Sequence, residues 1–330
     1  QLFQNHGVIP SSSSSAQDES TLPAGVNSTE SIISSESGSQ ASSADASSQA
    51  PSSVESVLSS ASGENILPVK ETSIVNTGNY KSKDSLVQVI NKSQVHKFDV
   101  DEELAKQPDV NLIDTEEPQV LIYHTHTTEA YRESFTGTYE KGEETHSQNP
   151  RESVVNVGNI ITEKLNEAGI VTIHDTTIND SPAYNGAYTR SLNKAEEYLK
   201  QHPSIQVILD VHRDSLTQED GTKLKPTATI NGKKAAQIMI VSGCDDYGQL
   251  GYPDWEYNLR FGLRLQRTLA TDYTGLMRPL YFWNIRYNQH LTHGTLLVEF
   301  GTEANTYDEV AYSAELFAEG LIKQLSELKE

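Results

Sequence analysis

The sequence predicts an α/β fold: a mostly parallel sheet with flanking helices and an inserted antiparallel hairpin, preceded by a long disordered N-terminal segment. Three observations predict it. From Gln119 onward, apolar runs of strand length alternate with amphipathic helical patterns, the arrangement of a sheet covered by helices. Asn231-Gly232 stands between two β-rich runs in "TATINGKKAAQIMIV", the strongest short-range hairpin signal. Residues 1–62 contain 22 serines and almost no aromatic residue after Phe3, too little apolar surface to offset the entropy of folding.

Taken in order, residues 1–65 read as a Ser-rich disordered tether, with runs such as Ser11 to Ser15. Residues 66–118 are weakly patterned, with a short strand expected at Leu86 to Ile90 and a helical turn near Asp101 to Gln107. They read as a linker or small accessory element. The main domain spans residues 119–330. Its strands are expected at Val120 to Tyr123, Ile170 to His174, Ile205 to Val211, Gln237 to Ser242 and Thr295 to Phe300. Apolar stripes at helical spacing fall between them: Val154, Val157, Ile161, Leu165 and Ala168, with Gly169 at the cap, then Trp255, Leu259, Leu263 and Ala270. A third stripe, Val310, Ala314, Phe317, Leu321 and Leu325, follows the last strand.

Charge and cysteine content exclude several classes. The net charge is −21 and no Lys/Arg cluster accompanies the aromatic residues, which argues against nucleic acid or an anionic bilayer surface as partner. Cys244 is the sole cysteine, so neither an internal disulfide nor a cysteine-rich zinc ribbon can form. No apolar stretch approaches the ~20 residues that span a bilayer. The chain begins with Gln rather than Met, which suggests an upstream signal or anchor, with the serine-rich segment separating it from the folded domain.

Ligand crevices in open α/β sheets lie beyond the carboxyl ends of the strands. Three apolar runs end there in polar residues: Val120 to Tyr123 leads to His124, His126 and Glu129, "QVILDVHRDS" to His212, Arg213 and Asp214, and "GTLLVEFGTEANT" carries Glu299. Two histidines and one carboxylate with an open position make the usual donor set of catalytic zinc. His126, Glu129 and His212 satisfy it, and Glu299 supplies the further carboxylate that a general base requires. Glu299 is the sharpest signal, because a carboxylate written into Leu-Leu-Val-Glu-Phe needs a partner or a function. Arg213 can bind a substrate carboxylate or form an internal ion pair, and Asp214 can orient His212. His290 and His293 lack an acidic neighbour at ligand spacing, and Asp245-Asp246 would raise the pKa of Cys244 rather than activate it. No G-x-S-x-G, glycine-rich phosphate loop or H-E-x-x-H occurs.

These motifs, with "AYTRSLNKA" and "WNIRYNQHL", resemble the stage II sporulation protein P family, which is related to zinc-dependent N-acetylmuramoyl-L-alanine amidases. The resemblance covers roughly residues 119–330. It implies a zinc amidase-like catalytic domain there, in an exported, membrane-tethered peptidoglycan hydrolase of sporulating bacteria with amidase and endopeptidase activity. The implied location is the outer side of the cytoplasmic membrane, between mother cell and forespore during engulfment. The implied partners are peptidoglycan and stage II sporulation proteins D and M, with the membrane reached only through an anchor absent from this chain. It also implies zinc held by His126, Glu129 and His212, with Glu299 as base and Asn305 completing a Val-Glu-x-Gly-x-x-x-Asn signature at the substrate. His124 is the alternative to His126, and Glu152, which opens the following helix, is the alternative to Glu129. The chain departs from plain amidases in lacking their Gly-His-Gly-Gly and in inserting residues 216–290. A zinc carboxypeptidase acting on wall peptides and a non-catalytic wall-binding scaffold are the rival readings.

Overall fold

The computed structural model describes residues 65–329; the tether expected over residues 1–65 lies outside them except for its last residue. In chain order the elements are β1 (Ile66–Thr72), β2 (Tyr80–Lys81), β3 (Gln88–Asn91), α1 (Val100–Ala105), β4 (Val120–Tyr123) and β5 (Thr138–Glu140). Then come α2 (Val154–Glu167), β6 (Thr172–His174), α3 (Ala187–Gln201), β7 (Val207–Asp214), β8 (Lys223–Ile230), β9 (Lys233–Ala236) and β10 (Ile238–Cys244). The chain closes with α4 (Trp255–Asp272), β11 (Leu280–Asn284), β12 (Gly294–Thr302) and α5 (Tyr307–Glu327). Among the described residues no helix is long and apolar enough to cross a membrane.

Eight strands form the main sheet in the order β2-β3-β11-β10-β12-β7-β4-β6. The β12, β7, β4 and β6 block is parallel throughout, as is the β3, β11 and β10 block. The two blocks meet antiparallel at β10 and β12. Strand alternation divides the side chains between the two faces. Val207, Leu209 and Val211 of β7, Val120 and Ile122 of β4, and Leu296, Val298 and Phe300 of β12 join the large core with α2, α4 and α5. Leu121, Tyr123 and Ile208 point the other way and pack on Ala195 of α3.

Side-chain caps start α1, α2 and α5. Ser153 accepts from the Val155 N–H at the start of α2, and Thr306 and Glu309 close a reciprocal capping box on α5. α3 was not visible as an apolar stripe because its buried positions are the small residues Ala187, Ser191 and Ala195.

The hairpin forms, with Asn231 and Gly232 at φ of 50° and 78°, the left-handed pair that a tight primed turn demands. Its place differs from the expectation. β8 and β9 belong to a smaller sheet, β5-β1-β8-β9, because β8 pairs parallel with β1 along its other edge. The antiparallel interruption of the main sheet is β10 against β12 instead. Residues 66–118 contribute to both sheets: β1 lies inside the small one, and β3 pairs with β11 in the large one.

One buried charge cluster joins the small sheet to α5. Lys225 of β8, whose side chain is 1% exposed, lies 2.5 Å from Glu309 at the start of α5 and 3.2 Å from Glu71 of β1. Removing one member strands the others in a low-dielectric interior. Lys225→Met is therefore expected to cost about 3–5 kcal/mol in urea denaturation. Adding Glu309→Gln, which keeps a side chain able to close the capping box, should recover most of the loss; a single variant as stable as wild type would show that the cluster does not hold the small sheet to α5.

Candidate functional site

The carboxyl ends of β4, β7 and β12 lie side by side, because these strands are parallel neighbours. Glu299 of β12 is in register with His212 of β7. Both side chains, like that of Asp210, point to the face opposite the large core, since they alternate with Val211, Val298 and Phe300.

The stretch from His124 to Glu129 runs past β4 as a loop held down by its threonines. Thr125 gives its N–H (2.8 Å) and hydroxyl (2.7 Å) to Asp210, and Thr128 gives its hydroxyl to Asp180 at 2.8 Å. Thr127 donates to the carbonyls of His124 and Thr177. A turn closes between them, with the Glu129 N–H on the His126 carbonyl at 3.2 Å. That turn brings the two ends of H-x-x-E to one side.

His212 is the centre of the site. Its Nδ1 lies 3.4 Å from Glu129 Oε2, and its Nε2 lies 2.8 Å from Asp210 Oδ1, an ion-pair contact without full hydrogen-bond geometry. Burial opposes charge on this imidazole, yet Asp210 and Glu129 outweigh it and hold the His212 pKa well above its ordinary value. Burial likewise opposes the charge of Glu129, and His212, Arg213 and His126 overcome it, lowering its pKa. His126 stands edge-on to His212, with ring centroids 5.2 Å apart, and its buried Nδ1 has no hydrogen-bond partner. Tyr184 stacks on its other side at 4.3 Å, with its hydroxyl 3.1 Å from His126 Nε2.

The donor chemistry suits zinc. Two ligands each about 2.1 Å from a tetrahedral zinc lie about 3.4 Å apart, the spacing of Glu129 Oε2 and His212 Nδ1. The orphaned His126 Nδ1 offers a third nitrogen, and Asp210 stands behind His212 as a carboxylate does behind a ligating histidine. The three donors do not all fall within 4.8 Å of one another, so gathering them on one ion requires His126 to turn from Tyr184.

Glu299 is part-exposed as a residue, but its Oε2 is sealed from solvent and unpartnered. Burial first, and then the neighbouring charges of Asp214 and Glu129, raise its pKa to about 8.

The two alternates are occupied elsewhere. His124 points to the α2 face, its Nδ1 donating to the Val211 carbonyl at 2.9 Å and its Nε2 facing His174 at 2.8 Å. The Glu152 carboxylate accepts from Ser147 and Asn149, both at 2.7 Å.

Arg213 and Asn305 both face inward. Arg213 donates to the carbonyls of Ala130 (2.9 Å) and Thr145 (2.8 Å), bracing the chain beyond Glu129. Asn305 is fully buried: its Oδ1 accepts from the Thr302 N–H, and its amide donates to Pro226 and Glu309. Gly301 sits between, at φ 61°, where a Cβ would collide with Asn305 Oδ1. These residues shape the turn that follows Glu299. Asp214, expected to orient His212, pairs instead with Arg278 at 2.8 Å; Asp210 stands against the ring.

Asp210 and Tyr184 were not singled out from the sequence. Asp210 carried the same signal as Glu299, a carboxylate inside an apolar run, while Tyr184 lies in a loop with no pattern to mark it.

Fold and site together describe an α/β domain with a His/Glu/His cluster beside a glutamate whose Oε2 is sealed from solvent. The chain belongs to the stage II sporulation protein P (SpoIIP) family, whose model matches residues 27–322. It is 30% identical over 211 residues to stage II sporulation protein P of Bacillus subtilis strain 168, an alignment covering 61% of this chain. The chain spans about half (49%) of the length of that relative. Among solved structures it is similar to the apo N-acetylmuramyl-L-alanine amidase Ami1 of Mycobacterium abscessus, at 13% identity and a TM-score of 0.36, covering 64% of this chain and 98% of that one. It is also similar to the CwlD amidase of Clostridioides difficile in complex with the GerS lipoprotein, at 10% identity and a TM-score of 0.38, covering 63% and 99%.

The raised pKa of Glu299 has a cost in stability whose sign follows from linkage. The unfolded carboxyl ionises near 4.5 and the folded one near 8, so metal-free stability falls as pH rises through that window. Glu299→Gln should therefore leave the metal-free chain unchanged at pH 4 and stabilise it by an amount on the order of 2–4 kcal/mol at pH 8. Denaturation curves at both values decide; an equal effect at both would mean that the carboxyl titrates normally.

Proposed function

We propose that this chain is a zinc-dependent peptidoglycan hydrolase that cleaves the amide between N-acetylmuramic acid and L-alanine, and that it carries the endopeptidase activity implied by its family resemblance. The observation that carries the reading is Glu299: a buried carboxylate with an unpartnered oxygen, in register with His212 and beside the charge of Glu129. Membership of a sporulation family supports the setting. The same proposal places the protein on the outer face of the cytoplasmic membrane between mother cell and forespore, tethered through its serine-rich segment, with stage II sporulation proteins D and M as partners.

His126, Glu129 and His212 would hold the metal. When bound there, zinc supplies a Lewis acid for the scissile carbonyl and for water. The rest of the work falls to the chain. Glu299 Oε2 accepts a proton from the attacking water and returns it to the leaving nitrogen, a role open to it once its carboxyl is ionised. Asp210 fixes the ring of His212 and, through Thr125, the loop that carries His126 and Glu129. Arg213 holds that loop from behind, and its N–H donates to Glu129 Oε2 at 3.0 Å. A metal facing Glu299 from this cluster would favour its ionised form and so reverse the uphill shift of the metal-free protein.

Two experiments test the reading. Purified sacculi incubated with zinc-loaded wild type, with and without stage II sporulation protein D, should yield free stem peptides and peptide-free glycans by mass spectrometry. Glu299→Gln should lower that yield by about 100-fold or more. Release of single C-terminal amino acids would move the assignment to a carboxypeptidase, and intact muropeptides throughout would move it to a wall-binding scaffold. Separately, Asp210→Asn is expected to weaken zinc binding about 10–100-fold in competition with a chelator; unchanged affinity would remove Asp210 from the site.

A further inference from the structure

We propose that His96, Cys244 and Asp246 form a second metal site, structural rather than catalytic, for a divalent cation that accepts sulfur and nitrogen ligands, zinc above all. Among the described residues they are the one group of three whose ligand atoms all lie within 4.8 Å of one another. Asp246 Oδ1 is 3.4 Å from Cys244 Sγ and 3.7 Å from His96 Nε2. A tetrahedral zinc with one sulfur, one nitrogen and one oxygen ligand has edges of about 3.4–3.6 Å. The site is therefore near closure.

The surroundings hold these side chains in place as they would around a metal. Asp246 Oδ2 accepts from the Gln94 N–H at 2.9 Å, Oδ1 accepts from the Ser93 hydroxyl at 2.5 Å, and the Asp246 N–H donates to Asn284 at 2.8 Å. The His96 ring packs on Trp255 with centroids 4.5 Å apart. The Asp245 carbonyl, 3.2 Å from His96 Nε2, is a fourth donor at hand. Cys244 and Asp246 are buried, while the His96 side chain is 25% exposed and gives an ion a way in.

The position sets this site apart from the catalytic one. Cys244 ends β10, whereas Met239 near the start of that strand pairs with Glu299. Since β10 runs antiparallel to β12, the two clusters lie toward opposite ends of the sheet. His96 belongs to the connection between β3 and α1, so a bound ion would fasten that connection to the core strand β10. Burial, followed by the charge of Asp246, pushes the Cys244 thiol well up, so it stays protonated unaided. Binding replaces that proton with the metal and releases it to solvent, one for each ion bound.

Cobalt(II) tests this without any variant. Cys244 is the sole cysteine of the chain, and the proposed catalytic donors contain no sulfur. A thiolate-to-cobalt charge-transfer band in the reduced full chain can therefore arise only here. The expected result is that band, two cobalt ions per chain, and a change in tryptophan emission on loading, since Trp255 packs on the His96 ring. Cys244→Ser should lose the band and one ion, and His96→Gln should weaken the affinity read from the band by tenfold or more. A folded wild type with no sulfur band, binding as many ions as Cys244→Ser, overturns the proposal. One ion with the sulfur band would uphold this site and instead remove the metal from the catalytic reading.

Discussion

His212 lies between two carboxylates, Asp210 on one side and Glu129 on the other, inside a strand whose eight residues are all buried. Much of the site follows from that placement. β7 pairs with β4 and with β12, so the elements carrying His126, Glu129 and Glu299 are its direct neighbours. Alternation sends Val207, Leu209 and Val211 into the large core and leaves Asp210 and His212 on the other face. A slip of one residue would bury the charges in the core and expose the valines. The apolar face therefore fixes the register that the polar face needs.

Around this strand the molecule buries a loop and pins it with hydrogen bonds. Thr125, Thr127 and Thr128 bind Asp210, local carbonyls and Asp180, which leaves His126 and Glu129 as the side chains free to face the cleft. Gly301 and Asn305 lock the turn after Glu299 in the same way. The arrangement is costly at Glu299. Glu299 keeps an unsatisfied oxygen next to Asp214 and Glu129, and burial drives its pKa upward.

Much of this was legible in the sequence because it is local. β4 spans the expected Val120–Tyr123, α2 begins at the expected Val154, and the Asn231-Gly232 turn forms. A glutamate inside Leu-Leu-Val-Glu-Phe announces itself wherever the strand lies. What could not be read depends on contacts between distant segments. β1 pairs with β8 and β3 with β11, and no local pattern in residues 66–118 states either partner. The same holds for the hairpin, whose turn was plain and whose sheet was not. Arg213 and Asn305 show the limit for side chains: their residue types suit substrate binding, but their donors are taken by Ala130, Thr145, Pro226 and Glu309. Tyr184 reaches His126 from a loop before α3 through tertiary placement alone.

The central claim is that the Asp210-oriented His212, with Glu129 and His126, makes a metal site that closes when the His126 ring turns from Tyr184. Anomalous diffraction at the zinc edge from zinc-soaked crystals addresses it directly. The account predicts a peak bonded to His126, Glu129 and His212, with Asp210 against the far nitrogen of His212 and the His126 ring turned away from Tyr184. A peak bonded to His124 or Glu152, or no peak between β4 and β7 at saturating zinc, would contradict it.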